Sequence, residues 1–432
     1  MTIKCKWWPM LIEFRVTNFR SFREEQVFSM AAGNLKEHAE SNTFLSGLKG
    51  FGAFLRSSAI YGPNAAGKTN LLLALRFMQQ LVLASAAKDS TAPNPYTPHK
   101  FSSETRDAPS EFQITFAEQN MRYEYGFFIS RTRIEKEWLI EYVNPRGRLM
   151  FQRDYNTRQS KYEWKFSSFF KGQRALWSDA TRPDALFLST AIQLNSTQLL
   201  PVFEWFQKRL VVIVGVTTMN PTLTFNILKE AHGKGKLLPF LKEADLGIAD
   251  LSIKRESVPS GGVIFGGGAN MLFEQLPGQL TPNLMKVTMS HWDAEKKEQI
   301  ELDFADESHG TQTLFRTAGA WLNVLEKGEV FFVDEIDASL HPLLTQYLIQ
   351  KFHSSETNPQ NAQLIFSAHN TSLLSKDILR RDQVWFVEKD RNGASKIYPL
   401  TDFQPRNDEA LERGYLRGRY GALPILSTEI PS

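Results

Sequence analysis

A chain of 432 residues with 42% hydrophobic and 22% charged residues has an ordinary globular composition and room for one large domain or two smaller ones. The net charge of +3 does not mark a nucleic-acid binder, so a basic surface has to come from local clustering. One cysteine, Cys5, excludes an internal disulfide framework; with no signal peptide and no apolar run of the roughly 18 residues that span a membrane, a cytoplasmic location without membrane contact is expected.

The first readable element is a strand over residues 11–17, where Ile12, Phe14 and Val16 alternate with Glu13, Arg15 and Thr17. Ala59-Ile60-Tyr61 is a buried strand feeding a glycine-rich loop. From Lys68 the apolar residues Leu71, Leu72, Leu75, Met78 and Leu81 take helical spacing. Residues 88–110 hold four prolines among serines and threonines and read as a loop. A strand meander is expected over 112–153 and a helix then a strand over 186–214. Polar-faced helices are expected over 221–250, with a glycine-rich loop over 260–270. Strands at 300–304, 329–333, 363–367 and 384–387 alternate with helices at 311–325, 342–352 and near 371–379. Both ends of the chain therefore alternate strand and helix around a mixed insertion, which points to an α/β fold. The domain expectation is a first part of a nucleotide-binding head at 10–90, a β-rich meander at 91–185, a mixed helical insertion at 186–299 and the second part of the head at 300–432.

Gly62-Pro63-Asn64-Ala65-Ala66-Gly67-Lys68-Thr69 fits G-x-x-x-x-G-K-[ST] at every fixed position, between a strand and a helix. The glycines let backbone N–H groups wrap phosphates, and the following helix turns its positive end to the same charge. Lys68, pointing into a solvent-filled loop, is expected to reach the outer phosphates of ATP. The Thr69 hydroxyl is expected to hold Mg2+, and Asn70 closes the binding stretch. Val330-Phe331-Phe332-Val333-Asp334-Glu335 is an apolar strand ending in two acids. Asp334 is expected to hold the Mg2+, directly or through a bound water, and Glu335 is the carboxylate that polarises the attacking water. Leu364-Ile365-Phe366 leads into Ser367-Ala368-His369-Asn370, with His369 at a strand tip as a γ-phosphate sensor. In Glu307-Ser308-His309-Gly310-Thr311-Gln312, Ser308 and Gly310 open a helix, as an anion site, a simple N-cap, or both.

These four elements in this order resemble the ABC-type P-loop ATPases, in particular the branch with SMC, DNA-repair and OLD-type proteins. The resemblance implies an ABC-type head with a mainly parallel core sheet, an antiparallel β subdomain and a mixed insertion. It also implies a homodimer or higher homo-oligomer in which Ser308 and Gly310 complete the partner's site, although the motif departs from the usual LSGGQ. Asp337-Ala338-Ser339-Leu340-His341 stands where the family has its D-loop, and Arg20 in Thr17-Asn18-Phe19-Arg20-Ser21-Phe22 where an arginine nears the nucleotide. The family's glutamine at the end of a first-lobe strand is matched by Gln193 or Gln113. The stretch between the halves has too many prolines and glycines for a long coiled coil. It is similar to the compact insertions of small ATPases in anti-phage systems (abortive infection, PARIS-like), as is Gly414-Tyr415-Leu416-Arg417-Gly418-Arg419-Tyr420-Gly421-Ala422. The chain is expected to end without the Toprim nuclease domain of OLD proteins.

The leading expectation is an ATP- and Mg2+-dependent ATPase regulating a separate effector, such as a Toprim-type nuclease, in anti-phage defence. The alternative is an ATP-gated DNA clamp. It draws on the basic and aromatic mixture of residues 146–174, with Arg148, Arg153, Arg158, Lys161, Lys165, Lys171 and Arg174 beside Phe151, Tyr155, Tyr162 and Trp164. A small-molecule kinase built on the same loop would not need His369 or the Ser308 motif.

Overall fold

The computed structural model of the chain describes residues 8–48, 50, 52–87, 96–143, 146–244, 247–257, 271–274, 283–293, 295–406 and 409–424. The fold is α/β and divides into two compact units. One comprises Met1–Val214, Gly328–Asp334 and Ile349–Ser432, and the other Gly215–Lys327 and Glu335–Leu348.

Two sheets build the first unit. A six-stranded sheet runs in the order Leu210–Ile213, Val330–Val333, Gln363–Ser367, Ser57–Tyr61, Val384–Lys389, Ser395–Pro399. All neighbours are parallel except the last pair. Its three middle strands, with sequences VFFV, QLIFS and SSAIY, are buried at every residue, as parallel strands covered on both faces must be. The second sheet is antiparallel, in the order Lys161–Phe166, Arg146–Asn156, Ile134–Val143, Met121–Ile129, Ser110–Glu118, Met10–Thr17, Gln26–Ser29. Phe28 of this sheet meets Phe332 at 6.3 Å and Trp385 at 5.1 Å between ring centroids, so the two sheets share one core. The helix Lys68–Ala84 lays Leu71, Leu72, Leu75, Met78 and Leu81 into the same core. The fully buried Gln363 amide joins the sheets through backbone groups: it accepts from Leu11 N at 2.7 Å and donates to Leu11 O at 3.2 Å and Leu55 O at 3.1 Å.

The far end of that helix is fixed by a buried charge network. Glu137 and Arg153, both without exposed side-chain surface, form an ion pair at 3.0 Å. The same carboxylate accepts from Phe187 N at 2.7 Å, Leu188 N at 3.0 Å and the Tyr125 hydroxyl at 3.0 Å, which seats the start of the helix Phe187–Gln193. From that helix Ser189 bonds Val82 O at 2.6 Å and the Ser85 hydroxyl at 3.0 Å.

The second unit packs the helices Thr222–Lys229, Gly233–Glu243 and His309–Lys327 with an antiparallel sheet. The sheet consists of Ile248–Ser257, Asn283–Asp293, Met271–Glu274 and Glu298–Asp303. Two sequence expectations are corrected here. The helices expected over 221–250 stop at Glu243, and Ile248 opens a strand whose alternation is broken by a bulge between Ile248 and Asp250. The helix expected near 371–379 is instead a 3-10 turn, Thr371–Leu373: the Asn370 side chain accepts from Ser372 N at 3.0 Å, and a local side-chain bond of this kind competes with helix propagation. The glycine-rich loop at 260–270, the first part of the proline-rich loop at 88–95, the turn residues 144 and 145, and Cys5 lie outside the described residues. Among the described residues no helix is long and apolar enough to cross a membrane.

Candidate functional site

The parallel pairing decides where the chemistry gathers. Ser57–Tyr61, Gln363–Ser367 and Val330–Val333 are consecutive neighbours running the same way, so their C-terminal ends share one edge of the sheet. From that edge leave Gly62 of the phosphate loop, the segment Ser367-Ala368-His369, and Asp334. Ligands in open parallel sheets bind at such strand ends.

The loop itself depends on backbone that only small residues tolerate. Gly62 has φ of +155° and a β-carbon there would stand 2.2 Å from Val387 O. Gly67 has φ of +117°, with the Ser395 and Ser21 hydroxyl oxygens 2.6 and 2.9 Å from where a β-carbon would lie. Ala65 adopts a left-handed φ of +61°. Pro63, Asn64 and Ala66 complete the turn, Lys68 and Thr69 open the helix, and Asn70 donates to the Ser21 hydroxyl at 2.7 Å. Lys68 does not point into open solvent as its sequence position implied. Its side chain is buried and donates to Gly62 O at 2.6 Å and Pro63 O at 3.2 Å. Folded across its own loop, the ammonium has carbonyl partners that a phosphate oxygen can replace.

Asp334 is buried and accepts from the Ser367 hydroxyl at 2.5 Å. In the sequence Ser367, at the end of the middle strand, stands only as part of the approach to His369. Its role becomes visible once the strand is placed beside the one ending in Asp334. The exposed Glu335 follows at once, held at a left-handed φ of +51°. A buried carboxylate, a loop lysine and a threonine at a helix start, all leaving one edge of the sheet, are residue types that fit a magnesium nucleotide.

His369 is exposed and lines a cleft of about 660 Å³ together with Tyr61, Gly62, Asn64, Lys389 and Tyr415. One wall of this cleft is the C-terminal segment. Tyr415 stacks on Phe386 at 5.3 Å and donates to Ala422 O at 2.9 Å, and burial pushes its phenol above the usual value. Arg20 is exposed on a turn with φ of +53°, one residue before Ser21, which packs on Gly67. Gln193 closes a helix rather than a strand, and Gln113 lies inside the strand Ser110–Glu118, so neither stands at a strand end.

In the second unit Ser308 caps the helix His309–Lys327: its hydroxyl accepts from Thr311 N at 3.1 Å and shares a hydrogen with the Thr311 hydroxyl at 2.9 Å. A β-carbon on Gly310 would approach Ser339 O to 3.0 Å, so the glycine lets the Asp337–His341 turn lie against the helix start. That turn is itself strained, with Ser339 at φ of +62°.

Part of the basic stretch at 146–174 is spent within the fold, while Arg158, Lys161, Lys165 and Lys171 are exposed. Arg153 is the buried partner of Glu137; Arg148 pairs with Glu141 and lies 4.5 Å from the Phe169 ring; Arg174 donates to Ser167 O at 3.2 Å. Trp164 and Phe166 pack on Phe187 at 5.0 and 5.7 Å, as core rather than as a stacking platform for bases.

A phosphate loop, a buried aspartate and a third strand between them, all ending at one edge of a parallel sheet, define the P-loop ATPases. The chain belongs to the family described as "AAA domain, putative AbiEii toxin, Type IV TA system", whose model matches residues 57–375. The match begins at the strand that feeds the loop and runs past His369, and it carries the abortive-infection resemblance read in the sequence. The chain is similar to the SMC head domain from Thermotoga maritima at 12% identity and a TM-score of 0.39, covering 90% of this chain and 98% of that one. It is similar to the recombination mediator protein RecF with ATP, of the RecFOR pathway, at 13% identity and a TM-score of 0.36, covering 91% and 100%. No curated protein matches the chain.

Proposed function

We propose that this protein binds and hydrolyses ATP as a dimer of heads, and that the nucleotide state controls a separate effector, a nuclease of Toprim type, in anti-phage defence. The observation that carries the reading is the convergence of the phosphate loop, Asp334 with its Ser367 partner, and His369 at one sheet edge. In this reading Lys68 leaves the Gly62 and Pro63 carbonyls to hold the outer phosphates. Thr69 and Asp334 hold Mg2+, which when bound neutralises phosphate charge. Glu335 orients the attacking water, and His369 contacts the γ-phosphate. Ser308 and Gly310 reach the nucleotide of the partner protomer, and Arg20 lies at the rim of the loop. ATP then joins two heads and hydrolysis releases them, so an effector that prefers one state is held or freed as populations shift. The family description names a toxin of a toxin–antitoxin system, which supports a chain that works with a cognate partner. The DNA-clamp alternative loses Arg153 and Arg148 to burial or pairing and keeps the exposed Arg158, Lys161, Lys165 and Lys171.

The test has two arms. ATP turnover is measured for the wild type, Glu335→Gln and Ser308→Arg, and for a mixture of Ser308→Arg with Lys68→Ala. Glu335→Gln should bind ATP and turn it over about a hundredfold more slowly. The mixed pair should recover activity neither variant has alone, because one composite site is intact. Co-purification with the product of the neighbouring gene, with ATP and after hydrolysis, tests the effector. No co-purification in either state, together with nucleic-acid cleavage by the isolated chain, would sink the regulator reading.

A further inference from the structure

The sheet order fixes which way a nucleotide lies on the phosphate loop. The loop leaves the strand Ser57–Tyr61. Asp334 and His369 follow the two strands on one side of it, Val330–Val333 and Gln363–Ser367, while Val384–Lys389 and Ser395–Pro399 lie on its other side. With Asp334 holding the metal and His369 at the γ-phosphate, as proposed above, the α-phosphate, ribose and base are sent towards the second pair of strands. That pair is joined to the loop itself. The Ser395 hydroxyl donates to Ala66 O, Ser395 N donates to Ser21 O at 2.7 Å, and the Ser21 hydroxyl accepts from Asn70 at 2.7 Å.

The turn between these two strands seats an aromatic ring. Asp390 N donates to Ala394 O at 2.8 Å, and the Asp390 carboxylate accepts from Asn392 N and Ala394 N, each at 2.8 Å, which closes the turn with Gly393 at φ of +80°. A β-carbon on Gly393 would stand 2.9 Å from the Phe101 ring, so that ring lies directly on the turn. The segment carrying Phe101 is tied in turn to the Arg20 motif: Arg20 N donates to Thr97 O at 2.8 Å, His99 N donates to Asn18 Oδ1 at 2.9 Å, and His99 Nδ1 lies 3.2 Å from Arg20 O. His99 also meets the Phe101 ring at 5.8 Å with an angle of 72° between the rings, so it does not stack on it.

Although fixed in place by these contacts, Phe101 is 78% exposed, and no large apolar side chain among the described residues is more exposed. Exposed apolar surface of this kind is covered at no entropic cost by a ligand that the neighbouring loop already holds. Aromatic side chains stack on nucleobases because every base offers a flat π-face. We propose that Phe101 is the base-stacking residue of the nucleotide site, so that the site selects nucleoside triphosphates over bare polyphosphate. The larger face of a purine covers more of the ring than a pyrimidine does. The assignment deepens the function proposed above and rests on its phosphate-loop reading.

The experiment is calorimetry on the full chain with two probes, ATP and inorganic tripolyphosphate, both with Mg2+. The wild type should bind ATP about tenfold or more tightly than tripolyphosphate. Phe101→Ala should weaken ATP about tenfold and leave tripolyphosphate unchanged, with circular dichroism unaltered because the ring is exposed. Phe101→Trp should retain ATP affinity, whereas Phe101→Leu, apolar but not planar, should behave like Phe101→Ala. Unchanged ATP affinity in Phe101→Ala, or full affinity in Phe101→Leu, would overturn base stacking. An equal loss for both probes would mean that the change acts on the phosphate loop, and would overturn it too. A wild type that binds the two probes equally would overturn the base site and leave the phosphate loop standing. A wild type that binds neither would overturn the proposed function, and the base site with it.

Discussion

Replacing Glu137 by alanine tests whether the buried network behind the phosphate-loop helix holds the head together. The change leaves the Arg153 guanidinium, with no exposed surface, without its carboxylate, and removes the acceptor of Phe187 N, Leu188 N and the Tyr125 hydroxyl. Breaking a buried ion pair from one side costs about 3–5 kcal/mol, and each buried donor left unmatched about 1–3 kcal/mol, the two overlapping because water enters the same space. A loss of roughly 4–6 kcal/mol is expected, a large share of the roughly 5–15 kcal/mol by which folded domains are stable. Urea unfolding of the full chain, followed by tryptophan fluorescence, should show the midpoint falling sharply. The double variant Glu137→Leu with Arg153→Met should recover most of the loss, since an apolar pair of similar volume replaces both charges. A single variant that loses less than about 1 kcal/mol would refute the reasoning, because it would mean that Arg153 finds water or another acceptor at no cost.

Gly67→Ala should weaken nucleotide binding ten- to hundredfold by calorimetry: strain of about 1–3 kcal/mol falls on a loop whose added β-carbon meets the Ser395 and Ser21 hydroxyls. Ser367→Ala removes the hydroxyl that Asp334 accepts from, and a hydrogen bond to a charged group contributes about 1.5–3 kcal/mol. The Mg2+ concentration needed for half-maximal turnover should therefore change by about tenfold or more, with the fold intact by circular dichroism. His353 is held to about 3, against a usual 6.5, first by burial and then by the Arg56 and His38 charges. Its folded value is the lower one, so the unfolded chain takes up the proton first. Stability is full above 6.5 and falls as the pH drops towards 3. At pH 5 the deficit is about 2 kcal/mol, and urea midpoints at pH 7 and pH 5 should lie further apart in the wild type than in His353→Gln.

What the sequence made legible followed from the kind of signal involved. The strands beside the nucleotide edge are continuous apolar runs ending in chemistry-bearing residues, so VFFV-Asp-Glu and the strand before His369 announce both their structure and their use. Of the sheet of the second unit only the strand at 300–304 announced itself, found as Glu298–Asp303. A bulge breaks the alternation at Ile248 and Asp250, and polar Thr288 and Ser290 are buried along with apolar Val287 and Met289, so polarity there does not track burial. The basic stretch at 146–174 was legible in part, for a related reason. Charge can be counted in a sequence, but the partners that consume it, Glu137 for Arg153 and Glu141 for Arg148, come from the neighbouring strand and are set by register. Ser367 was legible as a residue and not as a partner, because its contact with Asp334 spans two strands that are neighbours only in the folded sheet.

Backbone strain offers a line of argument that owes nothing to motif spelling. Left-handed backbone costs a residue with a β-carbon, and asparagine or a hairpin turn is its usual excuse. Gln119, Ser160 and Lys297 have that excuse, since each sits in the short turn of a hairpin. Arg20 shares it, in the two-residue turn between the bridged Phe19 and Phe22; Ala65, Glu335 and Ser339 do not, nor do His38, Gln404 and Ala422. Ala65 lies inside the phosphate loop, Arg20 beside the serine that packs on Gly67, and Glu335 and Ser339 in the segment that follows Asp334. Strain persists where surrounding structure over-determines it, and such places are disproportionately the ones that bind and switch. Ala65, Glu335 and Ser339 fall on turns that the spacing of Gly62, Lys68, Asp334 and Gly310 also marks, while His38, Gln404 and Ala422 fall elsewhere. The conformational signal thus overlaps with the chemical one in the phosphate loop and in the segment after Asp334, without being confined to them.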